Sequence, residues 1–357
     1  MKPGSRFEEL DALRGIAAAA VMLYHFLIAF PKFYGEVLGL GWQPFADAPV
    51  TRDLIGTAPV CLFFMISGFV ILNSLRGREE AGKPIADFAF SRFSRLFPVF
   101  WAAAALTFTV GLIAPLPDQD HTITQLVGNL TMVPRYAGVM PLDHVYWSLL
   151  FELQFYGWMA LIAVTGLLAR LRLVCAIWLA LEVVFLVNQA AGFELPMALY
   201  WAMNAPFTHY FLAGICFYRM ATGDGDRQTS YLLGASLAVN FLAFAPWFAL
   251  LTGASWLVFY LAVAGRLRFI AIKPLLWLGA ISYSLYLVHM MIGFRIMYSL
   301  QQAGVGYGLS VIAAIAVSLV LATGMTYLIE RPAQRLLKGW YKGAKQILGD
   351  KPVPGVS

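Results

Sequence analysis

Apolar residues run along this chain in blocks of roughly 17 to 25, the length a helix needs to cross a hydrocarbon core about 30 Å thick. A soluble core helix would be shorter and striped. Read against their Gly, Pro and charged breakers, the blocks predict ten transmembrane helices, near 12–31, 53–75, 93–114, 145–168, 173–190, 201–218, 231–248, 250–264, 274–296 and 307–329. The expected fold class is all-α, a polytopic transmembrane helical bundle. The basic residues between the blocks give an independent test, because lysine and arginine collect on the cytoplasmic side. With the N-terminus inside, all of the 25 Lys and Arg except Lys32, Arg52, Arg135 and Arg295 fall on the cytoplasmic face. A miscounted span would scramble that segregation, so both termini are expected in the cytoplasm. The division expected is a membrane domain over 1–340 and a short basic cytoplasmic tail over 341–357.

Composition agrees: 60% of residues are hydrophobic and 12% charged, with a mean hydropathy of +0.72, far from the globular mix. The expected location is a cell inner or plasma membrane. The formal charge of +6 belongs to loops beside anionic lipid, so membrane lipid is an expected partner and nucleic acid is not. The first block follows Lys2 and Arg6 and contains Ala17 to Ala20. A cleaved signal peptide is not expected, because those small residues lie inside an apolar run that continues through Phe26, Leu27, Ile28 and Phe30. Cys61, Cys175 and Cys216 stand alone in apolar surroundings and read as small buried hydrophobes.

Ionisable groups inside spans are expensive and mark function by default. Arg14 and His25 are eleven residues apart, so they share a helix face with a rise of roughly 16 Å between them. Asp11, one turn before Arg14, is placed to pair with it. By depth, His25 and Glu152 both lie about 10 Å below the outer surface. A carboxylate beside a buried histidine fixes its tautomer and keeps it basic, so a His25–Glu152 contact is expected, with His25 as a general base. Arg14, Arg92 and Arg95 sit at inner helix ends, where guanidiniums hold phosphates in forked hydrogen bonds or simply snorkel and set topology. His289 reads as structural. In Phe63-Phe64-Met65-Ile66-Ser67-Gly68-Phe69 the small pair reads as a close helix approach in preference to an acyl-carrying Ser67. Tyr146, Trp147 and Tyr156 fit an interfacial belt or packing as well as a substrate groove. The segment 115–144, with His121 and His144, reads as a solvated external loop, a lid or an acceptor-binding loop. Its spacing fits no metal-ligand pattern, so no metal is expected.

At this point the residues resemble the acyltransferase-3 family of integral membrane O-acyltransferases. The resemblance is carried by Leu10-Asp11-Ala12-Leu13-Arg14-Gly15 with His25, Phe64 to Phe69, Arg92-Phe93-Ser94-Arg95-Leu96-Phe97-Pro98, and Trp147-Ser148-Leu149 with Glu152-Leu153-Gln154-Phe155-Tyr156. Ile281 to Leu287 with His289, and Glu330-Arg331-Pro332, continue it in order to residue 332. Phe151 stands where a first acidic residue is common in the family, which leaves Glu152 to bear the role alone. The resemblance implies transfer of an acyl group, usually acetyl, from cytoplasmic acyl-CoA to a hydroxyl, often on a sugar of an envelope polysaccharide. Arg14, Arg92 and Arg95 would then bind the donor, with Arg14, His25 and Glu152 at the chemistry. Direct transfer and an acyl-enzyme intermediate both remain open, as does the acceptor. A transporter or flippase for a sugar-linked or small anionic substrate shares the span count and buried charges, and a non-catalytic sensor or scaffold is the third alternative. The oligomeric state is not legible in the sequence.

Overall fold

The computed structural model describes residues 7–40, 56–82, 85–117, 119, 121–193, 196–205 and 207–349. Lys2, Arg6, Arg52, Lys83, Lys351, Asp118, Asp120, the start of the second expected span and the tail from 350 lie outside the described residues. Among the described residues the chain is helical, with no strand. In order the helices are α1 (Glu8–Tyr24), a π-helical turn (His25–Ala29), α2 (Phe30–Tyr34), α3 (Ala58–Glu80), α4 (Ile85–Ile113), α5 (Ile123–Asn129) and α6 (Trp147–Val164). They continue with α7 (Leu171–Ala190), α8 (Met197–Ala202), α9 (Thr208–Thr222), α10 (Arg227–Ala243) and α11 (Pro246–Val263). Last come α12 (Lys273–Gln302), α13 (Tyr307–Gly324), a second π-helical turn (Met325–Glu330) and α14 (Arg331–Gly349).

Eight of these helical stretches are long and apolar enough to cross a membrane. Two further apolar helices, α9 and α10, have 15 and 17 residues and are shorter than a usual crossing. The ends differ from the sequence expectation for local reasons. The sixth block does not run 201–218 as one helix, because Asn204 takes a left-handed φ of 57° and separates α8 from α9. At the other end α9 continues to Thr222, where Gly223 at φ +86° closes it. The seventh block does not reach 248: Pro246 offers no N–H and opens α11 instead. The boundary expected at 340 falls inside α14, which runs unbroken to Gly349.

Both π-helical turns sit just before a proline, Pro31 and Pro332. A proline ring clashes with the carbonyl four residues back and removes a donor, and the chain relieves this by widening the turn. In the first turn the Phe30 amide reaches His25 O. Pro31 has no amide for Phe26 O, which instead accepts the Tyr307 hydroxyl at 2.8 Å.

Without a hydrophobic drive between helices in lipid, close association relies on small residues. A Cβ on Gly279 would lie 2.0 Å from Asp11 O, and one on Gly15 would lie 2.5 Å from Leu275 O, so α1 and α12 touch backbone to backbone. The same holds for α3 and α9, where a Cβ on Gly68 or Gly214 would lie 2.0 Å from Phe211 O or Met65 O. The Ser67-Gly68 pair is therefore a close-approach point. Contacts along the α1–α12 seam run from Gly15 with Gly279 to Phe26 with Gly293, in increasing order on both strands of the pair, so these helices are parallel. In α3 and α9, Phe64 packs on Phe211 and Phe69 on Tyr218, with ring centroids 4.8 and 5.4 Å apart, and the pair is again parallel.

Away from these seams, Glu182 of α7 takes the His209 backbone N–H and its ring Nδ1, each at 2.9 Å, with both side chains buried. The carboxylate thus caps the opening turn of α9 from a neighbouring helix, satisfying an orphan amide and the positive end of the helix dipole. Next to it, Tyr210 donates to Asn240, which also accepts from Thr252, both at 2.8 Å. The three cysteines are buried and form no disulfide with one another.

Candidate functional site

The arginine that opens the site stands on the straight part of α1, and the histidine stands where the helix widens. Arg14 is 4.0 Å from Asp11, the pairing expected from their spacing. Arg14 faces a cavity between α1, α3, α4, α6 and α12 that encloses about 750 Å³ including its open mouth. Arg92, Arg95, Glu152, Tyr156 and Ser67 line the same cavity. Four of the five residues singled out from the sequence therefore meet there.

Arg92 is the least satisfied of them. Its Nη2 reaches Ser74 Oγ at 3.4 Å, while Nε and Nη1 are buried with no hydrogen-bond partner. Its guanidinium lies 5.6 Å from the Phe88 ring and 5.9 Å from that of Tyr156. Buried donors on a cation are costly unless an acceptor completes them, and a forked guanidinium fits a phosphate or carboxylate. Glu152 is already engaged, accepting from Ser67 Oγ at 3.1 Å and from the Tyr156 hydroxyl.

The expected His25–Glu152 contact does not form. Glu152 points into the cavity toward Ser67 and Tyr156, and His25 is not among the cavity-lining residues. The partner of His25 is His289, with His25 Nδ1 and His289 Nε2 3.1 Å apart. His289 is 1% exposed, and its Nδ1 lies 2.9 Å from Leu285 O and 3.1 Å from Tyr286 O. Carbonyls only accept, so Nδ1 carries the proton and Nε2 of the neutral ring is an acceptor. His25 Nδ1 is likewise 2.8 Å from Val21 O and carries a proton shared with His289. That assignment leaves His25 Nε2 as a lone pair, the form a general base needs. The groups that face His25 Nδ1 are thus Val21 O and His289 Nε2, in place of the Glu152 carboxylate expected from depth.

Tyr286 connects the two halves. It lines the cavity, its ring is 5.9 Å from that of His289, and its hydroxyl meets Ser148 Oγ at 2.7 Å and Val145 O at 3.0 Å.

The segment 121–146 differs from a solvated loop. Asp143 is fully buried, capping Val145 N at 3.1 Å and taking Met291 N at 3.0 Å, two residues after His289. Tyr146 donates to Leu287 O at 3.2 Å. His121 Nε2 lies 2.6 Å from Arg295 Nη2, and Arg295, expected at the outer end of the span 274–296, is a buried side chain of α12. The segment therefore braces α12 around His289. Among the described residues no cluster of His, Cys, Asp and Glu is placed to hold a metal ion.

A family model described as "Acyltransferase domain" matches residues 7–330. The chain is 26% identical to "Acyltransferase MdmB" of Streptomyces mycarofaciens, over 93% of this chain and 92% of that one. It is 25% identical to "Exopolysaccharide production protein ExoZ" of Rhizobium meliloti, over 79% and 90%. A shorter match, 36% identical over 25% of this chain and 19% of the other, is with "O-acetyltransferase PaAT-1" of Phomopsis amygdali. No solved structure matches the chain significantly.

Proposed function

This chain belongs to the acyltransferase family matched over residues 7–330 and is a membrane O-acyltransferase, and we propose that it moves an acetyl group from cytoplasmic acetyl-CoA to a hydroxyl of an envelope glycan or related sugar. The observation that carries the donor is the cavity in which Arg14, Arg92 and Arg95 converge, with Arg92 holding buried N–H donors that no protein group accepts. Phosphates of the CoA moiety are the acceptors these donors fit, and the three arginines lie toward the cytoplasm in the topology expected from the basic residues. The glycan acceptor is supported by the similarity to a protein named for exopolysaccharide production.

In the reaction proposed, His25 Nε2 takes the proton of the acceptor hydroxyl as that oxygen attacks the thioester carbonyl. The C–S bond breaks, the CoA thiolate leaves, and the protonated His25 returns its proton to the sulfur, so the enzyme is restored. His289 holds the tautomer throughout. Glu152 serves the cavity by fixing Ser67 and Tyr156. The hydrogen bond from Ser67 Oγ to Glu152 supports a second reading, acylation of Ser67 before transfer.

Purified protein in detergent, incubated with radiolabelled acetyl-CoA and a panel of sugars, tests the proposal. Wild type is expected to release CoA thiol and label a sugar, and His25→Ala to do neither while still binding donor. Full turnover by folded His25→Ala would remove the histidine from the chemistry. A labelled serine trapped in His25→Ala would replace direct transfer with the Ser67 route.

A further inference from the structure

The stretch from Tyr307 to Glu330 is about 36 Å long at 1.5 Å per residue, enough to cross a hydrocarbon core about 30 Å thick. Helix α14 therefore begins where the core ends, and the π-helical turn before Pro332 gives the chain a point at which to bend. Its neighbour confirms the level: α14 docks on the first two turns of α4, a 29-residue helix that also overruns the core. Tyr341 stacks on Phe90 with centroids 4.2 Å apart, and its hydroxyl donates to Asp87 Oδ1 at 3.0 Å. Lys345 Nζ pairs with the same oxygen at 2.5 Å.

The face turned away from this dock is apolar. At 100° per residue, Leu336 and Trp340 lie about 140° around the helix from Tyr341 and Lys345. They are 74% and 70% exposed, one turn apart, beyond the part of the protein that crosses the membrane. Arg335, Lys342 and Lys338 lie on the rest of the helix, about 120° to 180° around from the middle of that apolar face, and all three are exposed. A helix with large exposed apolar side chains on one side and three cations on the other suits neither water nor the hydrocarbon core. It suits the boundary layer, where Trp settles at headgroup level and nearby Lys and Arg are drawn to anionic lipid.

We propose that α14 is an in-plane amphipathic helix whose Leu336–Trp340 face, with Arg335, Lys338 and Lys342, docks on an anionic phospholipid headgroup surface. The dock through Asp87 links that surface to α4, which carries Arg92 and Arg95 into the donor cavity.

The test uses the full chain in nanodiscs. Cys61, Cys175 and Cys216 are buried, so a Leu336→Cys variant takes an environment-sensitive fluorophore at one surface position. In nanodiscs containing phosphatidylglycerol the label is expected to shift to the blue and resist quenching by a soluble ion, and in pure phosphatidylcholine to remain quenchable. The protection should be lost in 1 M salt, where the screening length is about 3 Å, and on combining Arg335→Gln, Lys338→Gln and Lys342→Gln. A label equally protected in both lipids, or equally exposed in both, overturns the proposal. Protection seen only in native membranes, and absent with pure lipid, overturns it in favour of a protein partner. Because the readout is fluorescence, the result stands whether or not the acceptor is a glycan.

Discussion

His25 and His289 meet at 3.1 Å because each stands ten residues beyond a glycine, Gly15 and Gly279, at which two parallel helices touch. The glycine contact sets the register of α1 on α12, and the equal spacing carries the two imidazoles to one level.

His289→Ala removes one of the two acceptors of His25 Nδ1–H and leaves Val21 O alone to hold the tautomer and the ring's orientation. Turnover should fall about 10- to 100-fold, as it does when partners that orient functional histidines are lost, with donor affinity unchanged. His289→Gln, whose amide oxygen can accept, should recover part of the loss. Steady-state kcat and donor KM for the two variants check this, and equal activity of wild type and His289→Ala would leave His289 a packing residue.

Arg92→Gln takes away donors that only a ligand can complete. If they bind phosphate, acetyl-CoA should weaken by about 10-fold or more, the scale of a hydrogen bond to a charged group. Acetyl-pantetheine, which has no phosphate, should be used equally well by wild type and variant. A matched loss with both donors would mean that Arg92 supports the cavity rather than the nucleotide.

Tyr307→Phe leaves the Phe26 carbonyl without the hydroxyl that Pro31 makes necessary. An unsatisfied buried acceptor costs about 1–3 kcal/mol, and this one lies in the turn that aims His25. Lower kcat should accompany a lower melting temperature in detergent. An unchanged melting temperature would show that water or a second conformation serves that carbonyl.

Glu182→Ala should destabilise without touching the chemistry. It removes the acceptor of both His209 N–H and the buried imidazole N–H, leaving two buried donors unsatisfied at a cost of about 1–3 kcal/mol each. Activity per folded molecule should match wild type while thermal stability drops. Loss of specific activity at full stability would place this pair in the reaction.

The sequence made several things readable and hid others for a common reason. Hydropathy and basic residues report position along the membrane normal, so Arg14, Arg92 and Arg95 are expected together at the inner helix ends, and in the structure they line one cavity, which Glu152, expected near the outer surface at the level of His25, also lines. The same reasoning joined His25 to Glu152, since depth fixes one coordinate and says nothing about which way a side chain turns around the bundle. The azimuth is set by glycine contacts such as Gly15 with Gly279, and the signal was present as two Gly-to-His intervals of equal length. Asn204 and Pro246 broke two apolar blocks where hydropathy alone stayed high. Glu182 and His209 escaped notice because a trans-helix cap leaves no local pattern.

The parallel seam between α1 and α12 has a consequence in time. His25 and His289 are 264 positions apart in the chain, so the first is made well before the second. Contacts between such distant segments close late, after the loop entropy between them has been overcome. Throughout synthesis and insertion the growing chain carries a donor-side arginine and an unaimed histidine but no assembled base. A nascent or truncated chain that stops short of α12 thus lacks both the partner of His25 and one wall of the cavity.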